Sequence, residues 1–545
     1  MTRSTPLTRL SRFRAPAAAA LLSLATASAS AADWTRFLGP SGNSISTDST
    51  APPQTWSEKE NLKWKADLPG IGVSSPIVVG GKVLVTSYSG YGTGDANENI
   101  EDLKRHLTCF NAVTGDQVWT KTIDAVQPED PYRPPGVSAH GYASHTPASD
   151  GKHVFVFFGK TGVIAYDLDG NEKWRKSVGT GSGPQAWGSA ASPIVYNSGV
   201  QSLVIVTAAE ESESLIAFDA ASGDEVWKTP ASSLQGTWST PTLARSDDRT
   251  DLVLSVPGEV WGLNPENGKL RWYSRGTTDN STSASPIALD GVVYAVGGRS
   301  GDAVAVKVGG KGDVNESHVV WDAKIQGRFA SPIAYEGHLY VYSSGILTCY
   351  DSATGERVKQ KRLSDSSGSR GGGGRGGDGG RGGDGGRGGD GGRGGDGGRG
   401  GDGGRGGDGG RGGDGGRGGF GGRDGAPGAP GQGGQRGQDG QRGQDGQPGR
   451  GGFGGRGGEG GRGGFGGRGG LGDRRSMEYA SPVLVGDKLY VTSPKGQFFV
   501  VTASPEMELL ATNTLSDDTG FSASPAVSDG CLLLRSGGSL YCISE

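Results

Sequence analysis

The sequence predicts an all-β protein, an eight-bladed β-propeller of four-stranded antiparallel blades closed by an N-terminal strand, and three observations carry that expectation. A Ser-Pro or Thr-Pro dipeptide recurs at Pro76, Pro147, Pro193, Pro241, Pro286, Pro332, Pro482 and Pro525, each ahead of an apolar run. Apart from a first spacing of 71, the copies fall 43 to 48 residues apart once a glycine tract of 105 residues is set aside. Within each unit the order is constant, as in SPIAYEGHLYVY followed by GILTCYDSATGERV: a short buried run, a tight turn, an alternating run, and two more strands about an Asp-x-x-Thr-Gly turn. A period of about 45 residues with four short strands and no helical periodicity is the signature of propeller blades.

The elements follow in chain order. Residues 1–32 read as an export signal, with Arg3, Arg9, Arg12 and Arg14 ahead of the apolar run Ala15 to Ala27 and an Ala29-Ser30-Ala31 cleavage site. The apolar run is well short of the roughly 20 residues a spanning helix needs, so the expected mature chain is soluble, periplasmic or extracellular, with no membrane span. Residues 33–60 form an N-terminal extension. Residues 61–367 hold the closing strand and blades one to six, and residues 473–545 hold blades seven and eight. The last unit stops at Leu540-Tyr541-Cys542-Ile543 without its fourth strand, while Asn61-Leu62-Lys63-Trp64-Lys65 has that strand's pattern. Residues 61–68 are therefore expected to complete blade eight and clasp the ring, removing an exposed strand edge.

A second repeated signal sits in the outer half of the blade. An Asp or Asn turn ending in Gly is followed by Trp, as in FNAVTGDQVW, YDLDGNEKW, FDAASGDEVW and LNPENGKLRW. Trp64, Trp119, Trp174, Trp227, Trp272 and Trp321 are expected to wedge between neighbouring blades as structural glue, each burying on the order of 150–250 Å². Of the four cysteines, Cys531 and Cys542 lie in two strand-like runs and either pair in an oxidising compartment or stay as buried thiols.

The tract 368–472 contains 62 glycines, and one frame places Gly at every third residue, the formal requirement of a collagen helix. Its Arg-Gly-Gly-Asp-Gly-Gly repeats lack the proline that pre-sets a triple helix, and only Gly425 to Gly449 looks collagen-like. A flexible, disordered polyampholyte insertion is the expectation. The whole chain carries −4: the tract carries +5, the export-signal residues +4 and the remainder −13, which argues against a nucleic-acid partner.

The A-x-D-x-x-T-G-x-x-x-W turn and the repeated S-P-x-V resemble the PQQ-like propeller repeat family, which includes quinoprotein alcohol dehydrogenases and the non-catalytic assembly factor type, BamB. The resemblance covers roughly residues 61–360 and 477–545. The opening Trp34-Thr-Arg-Phe-Leu-Gly-Pro-Ser-Gly-Asn is similar to that of exported PQQ-like proteins of planctomycete-type bacteria. For an enzyme of this family the resemblance implies pyrroloquinoline quinone (PQQ) and calcium, with Trp238 as the floor beneath the quinone and Glu478 as a calcium ligand.

Loops 88–105 and 121–143 and the glycine tract should open on one face, the expected functional face. Residues just ahead of the Ser-Pro pairs should line the channel mouth there: His140, Tyr142, His145, Trp187, Trp238, Arg328, Phe329, Glu478, Tyr479 and Phe521. Aromatic rings with an Arg, a Glu and two His suit a flat or anionic ligand, through stacking and charge-assisted hydrogen bonds. No catalytic residue, metal-ligand set or cofactor is assigned. The expected function is a monomeric, non-catalytic binding or assembly scaffold of the cell envelope that meets a protein or polymer on its inserted face; the alternative is a PQQ- and calcium-dependent alcohol or polyol dehydrogenase.

Overall fold

The computed structural model describes residues 1, 33–134, 136–298, 300–363 and 478–545, so the export-signal and glycine-tract expectations lie outside the described residues. The described chain forms eight blades of four strands, each strand antiparallel to its neighbour in the blade. Blade one runs Ile77–Val79, Lys82–Ser89, Lys104–Asn111 and Gln117–Asp124. Blades two to seven begin at Ala148–Ser149, Ile194–Asn197, Thr242–Arg245, Ile287–Leu289, Ile333–Tyr335 and Val483–Val485. Blade eight takes three strands from the end of the chain, Ala526–Ser528, Cys531–Arg535 and Ser539–Ile543, and its fourth from Leu62–Asp67, with Trp64 opposite Cys542. Closure thus follows from the incomplete last unit. Cys531 and Cys542 are joined as a disulfide within this blade.

The Ser/Thr-Pro repeat has a structural cause. The Ser75 N–H donates to Thr146 Oγ1, Thr146 N–H to Ser192 Oγ, and Ser192 N–H to Thr240 Oγ1, each at 2.9 Å. The chain of bonds continues through Thr240 to Ser285, Ser285 to Ser331, Ser331 to Ser481 and Ser481 to Ser524, at 2.8–3.0 Å. Seven blade-to-blade steps around the channel are therefore made by one hydroxyl each. The proline that follows holds the Ser or Thr extended. At the eighth step, between blades eight and one, the fully buried Arg535 spans instead, donating to the carbonyl and hydroxyl of Ser74 and to the Thr86 carbonyl, the last at 2.7 Å.

The outer Trp residues lock the same boundaries from the rim. The indole N–H of Trp174 donates to the Ala220 carbonyl at 3.0 Å, and those of Trp64, Trp119, Trp227 and Trp321 donate to the matching turns of the next blades at Ala112, Leu168, Pro265 and Ser352. The turn is shaped to receive the ring: Asp219 Oδ1 accepts from the Ala221 and Ser222 amides, and Gly223 at φ +74° leaves no room for a Cβ, which would stand 2.6 Å from Trp174. Trp272 corrects the expectation of uniform docking. Blade five lacks the receiving turn, so the Trp272 indole bonds Asp251 Oδ2 in its own blade at 2.8 Å. The unusual connection of blade five lays Gly312–Asp313 parallel to Trp272–Tyr273 and covers the outer edge of blade four.

Residues 34–46 cross the central channel. Trp34 exchanges two backbone hydrogen bonds with Val78 on the inner strand of blade one, and Thr35 accepts from Ser149 of blade two. Leu38 is buried among Ile287, Ala334 and Val341 of blades five and six, and Ile45–Ser46 pairs in parallel with Leu484–Val485 of blade seven. The inner strands contacted lie on different sides of the ring, so the Trp-x-x-Phe-x-Gly-Pro segment is a crossbar.

Candidate functional site

The channel above the crossbar is a cup of about 250 Å³. Its wall is set by the period-two alternation of an extended chain. The residues three before each blade-entry proline all line it: Val73, Ser144, Ala190, Trp238, Ser283, Phe329, Tyr479 and Ser522. Of the residues directly before those prolines, Ser75, Thr146, Ser192, Thr240, Ser285 and Ser524 line it as a ring of hydroxyls, and Phe37 of the crossbar contributes from the N-terminal segment.

The aromatic side chains are held in place by bonds to the frame. Trp187 and Trp238 stack at 5.3 Å between ring centroids with 20° between planes. The Trp238 indole donates to the Gly188 carbonyl at 2.8 Å, and the Trp187 carbonyl accepts from His140 Nε2 at 2.8 Å, which puts the His140 proton on Nε2. Phe329 and Tyr479 meet at 4.6 Å, and the Arg328 guanidinium lies over the Phe329 ring at 4.6 Å. The cup therefore gathers Trp187, Trp238, Arg328, Phe329, Tyr479 and His140 of the expected set.

Four expected residues point elsewhere. Tyr142 packs edge-on against Tyr88 and donates its hydroxyl to the Asp130 carbonyl, and Phe521 is buried against Phe498 at 5.1 Å. Phe521, His145 and Glu478 each stand an even number of residues before their prolines, so the alternation turns them away. His145 stands two before Pro147 and turns into blade two, buried against Phe157 at 4.5 Å. Glu478, four before Pro482, turns toward blade six, where its carboxylate accepts the Gly345 N–H at 2.7 Å and is pushed up in pKa by burial. Arg328 also stands four before its proline, and it reaches the cup by folding over Phe329.

Beside the cup lies a buried ionic cluster that reading along the chain missed. Arg105 of blade one pairs with Glu129, and Lys160 of blade two pairs with Asp130 at 2.9 Å, which ties the 121–143 loop down beneath the rim. His145 Nε2 meets Ser189 Oγ at 3.1 Å, and Ser189 donates to Glu211 Oε1 at 2.5 Å. Burial lifts the Glu211 carboxyl to about 7 and depresses His145 well below its ordinary value. Clusters assembled from separate blades leave no spacing signal in the sequence.

A calcium–quinone pair does not fit the cup. Calcium takes six to eight oxygen ligands with carboxylates among them, yet among the described residues no Asp, Glu, Asn or Gln side chain lines the wall. The residue expected to ligate calcium, Glu478, faces away. Among the described residues no group of three His, Cys, Asp or Glu converges to hold a metal ion, and no helix is long and apolar enough to cross a membrane.

Comparison with known proteins agrees with the fold. A family model described as outer membrane protein assembly factor BamB matches residues 103–361. No curated protein matches the chain. Among solved structures, a europium-containing methanol dehydrogenase is similar at TM-score 0.52 and 11% identity, over 94% of this chain and 98% of that one. BamB from Moraxella catarrhalis is similar at TM-score 0.47 and 10% identity, over 88% and 96% of the two chains. Quinohemoprotein alcohol dehydrogenase ADHIIG from Pseudomonas putida HK5 is similar at TM-score 0.38 and 13% identity, over 61% and 72%.

Proposed function

The chain belongs to the PQQ-like β-propeller repeat family, and from that premise we propose that it is an exported binding scaffold of the cell envelope which holds part of a protein or polymer partner in its cup without transforming it. The observation that carries this reading is the wall itself: fixed aromatic faces, a guanidinium and a ring of hydroxyls, with no carboxylate or thiol among the described lining residues. Such a wall offers stacking and hydrogen bonds, the means of recognition. Its one imidazole is engaged at both nitrogens, with Ser144 and with the Trp187 carbonyl, which leaves it poorly placed to take a proton from a bound molecule.

The reading is tested by replacing Ser522, on the wall, with photoreactive p-benzoylphenylalanine and irradiating envelope extract. One dominant adduct is expected, and Trp238→Ala in the same protein should abolish it. A smear of products indifferent to Trp238→Ala would contradict it.

A further inference from the structure

We infer that the cup receives an acid group carried on an aromatic ring and presented end-on, an inference that rests on the binding reading above and names the chemistry that fills the site. The hydroxyl ring supplies the first reason. Thr146, Ser192, Thr240, Ser285 and Ser524 line the cup, and each accepts a backbone N–H from the preceding blade. None of these hydroxyls donates to another group among the described residues, so each keeps its proton to give. An accepted hydrogen bond polarises a hydroxyl and makes it a better donor. A ring of such donors asks for an acceptor-rich group.

Charge gives the sign. Among the described residues Arg328 is the one Lys, Arg, Asp or Glu of the wall, and it forms no ion pair there. A guanidinium sharing the wall with hydroxyl donors, with no acid among the described lining residues, favours a carboxylate or sulfonate over a neutral amide.

Shape gives the rest. Trp238 enters ahead of blade four, and Phe329 and Tyr479 enter ahead of blades six and seven, so aromatic faces approach the ligand from different sides. A volume of about 250 Å³ exceeds the ~150 Å³ that accommodates benzene and suits one or two rings. The crossbar, with Phe37 in the cup, blocks threading. A passing chain cannot be gripped here, whereas a small aromatic acid or a polypeptide ending in an aromatic residue with a free carboxylate can. Both sources present the same chemistry.

Calorimetric titration of the full chain with 2-naphthoate and 2-naphthamide, and with Gly-Gly-Phe carrying a free or an amidated C-terminus, tests the inference. The acid of at least one pair is expected to bind about tenfold or more tighter than its amide. Preference confined to naphthoate identifies a small-molecule ligand; preference in the peptide pair identifies a chain end. Arg328→Met should bring the acid to within about twofold of the amide. If that variant does not fold, added salt in the wild type should weaken the acid and spare the amide. Equal binding of acid and amide would overturn the inference and leave the binding reading standing. No binding by any probe would also overturn it, and the photoadduct of Ser522 would then decide separately whether the binding reading survives.

Discussion

Arg105→Met should lower the unfolding free energy by about 3–5 kcal/mol, the cost of breaking a buried ion pair from one side. Arg105 and Glu129 are only 4% and 5% exposed in their side chains, so the carboxylate left behind has no water to turn to. The guanidinium also donates to the Tyr142 carbonyl and lies 5.7 Å from the rings of Tyr142 and Phe158, contacts that methionine recovers only in part. The double variant Arg105→Met/Glu129→Leu should regain most of the loss, because burying neither charge is close to neutral. Denaturant midpoints of the wild type, both single variants and the double variant measure this. Additive losses in the double variant would show that the pair is not coupled.

Glu211→Gln should stabilise the protein by roughly 3 kcal/mol above neutrality, the worth of the carboxyl's upward shift. The sign follows from proton linkage. Glu211 titrates at about 7 in the fold against an ordinary 4.5, so the folded protein holds the proton more tightly than the unfolded chain. Its contribution is fully present below pH 4.5, is lost as pH rises towards 7, and beyond that becomes a constant penalty. Glutamine keeps the shape and an acceptor for Ser189 without the charge. The gap in melting temperature between variant and wild type should therefore widen from pH 4.5 to 7 and level off above. A gap that is constant over this range would mean that Glu211 is already ionised in the fold.

The blades were legible because each physical demand recurs in register. Seven of the eight inner blade boundaries are bridged by a hydroxyl, so Ser or Thr recurs before Pro along the chain. Most outer boundaries want a flat ring over a glycine turn, so Trp recurs, and the last unit stops at Ile543 short of its fourth strand, whose pattern stands instead at Leu62–Asp67. The aromatic part of the cup was legible for the same reason. His145 and Glu478 lie close to Pro147 and Pro482 along the chain but an even number of residues before them, and that parity, which nearness alone does not express, turns both away from the channel. Trp272 departs from the pattern because its partner is defined by blade five, whose turn is degenerate. The crossbar joins residues whose nearness is a consequence of ring closure, and the Arg105–Glu129 and Lys160–Asp130 pairs tie the 121–143 loop to the two blades that flank it; no local pattern encodes either.

The binding role proposed for the cup requires that it hold no calcium–quinone pair. Calorimetric titration of the full chain with PQQ in the presence of calcium, followed by dye reduction with alcohols, tests that claim most directly. The geometry predicts no calcium-dependent stoichiometric complex and no turnover above background. A one-to-one, calcium-dependent complex that reduces the dye, and that is lost in Glu478→Gln, would contradict it.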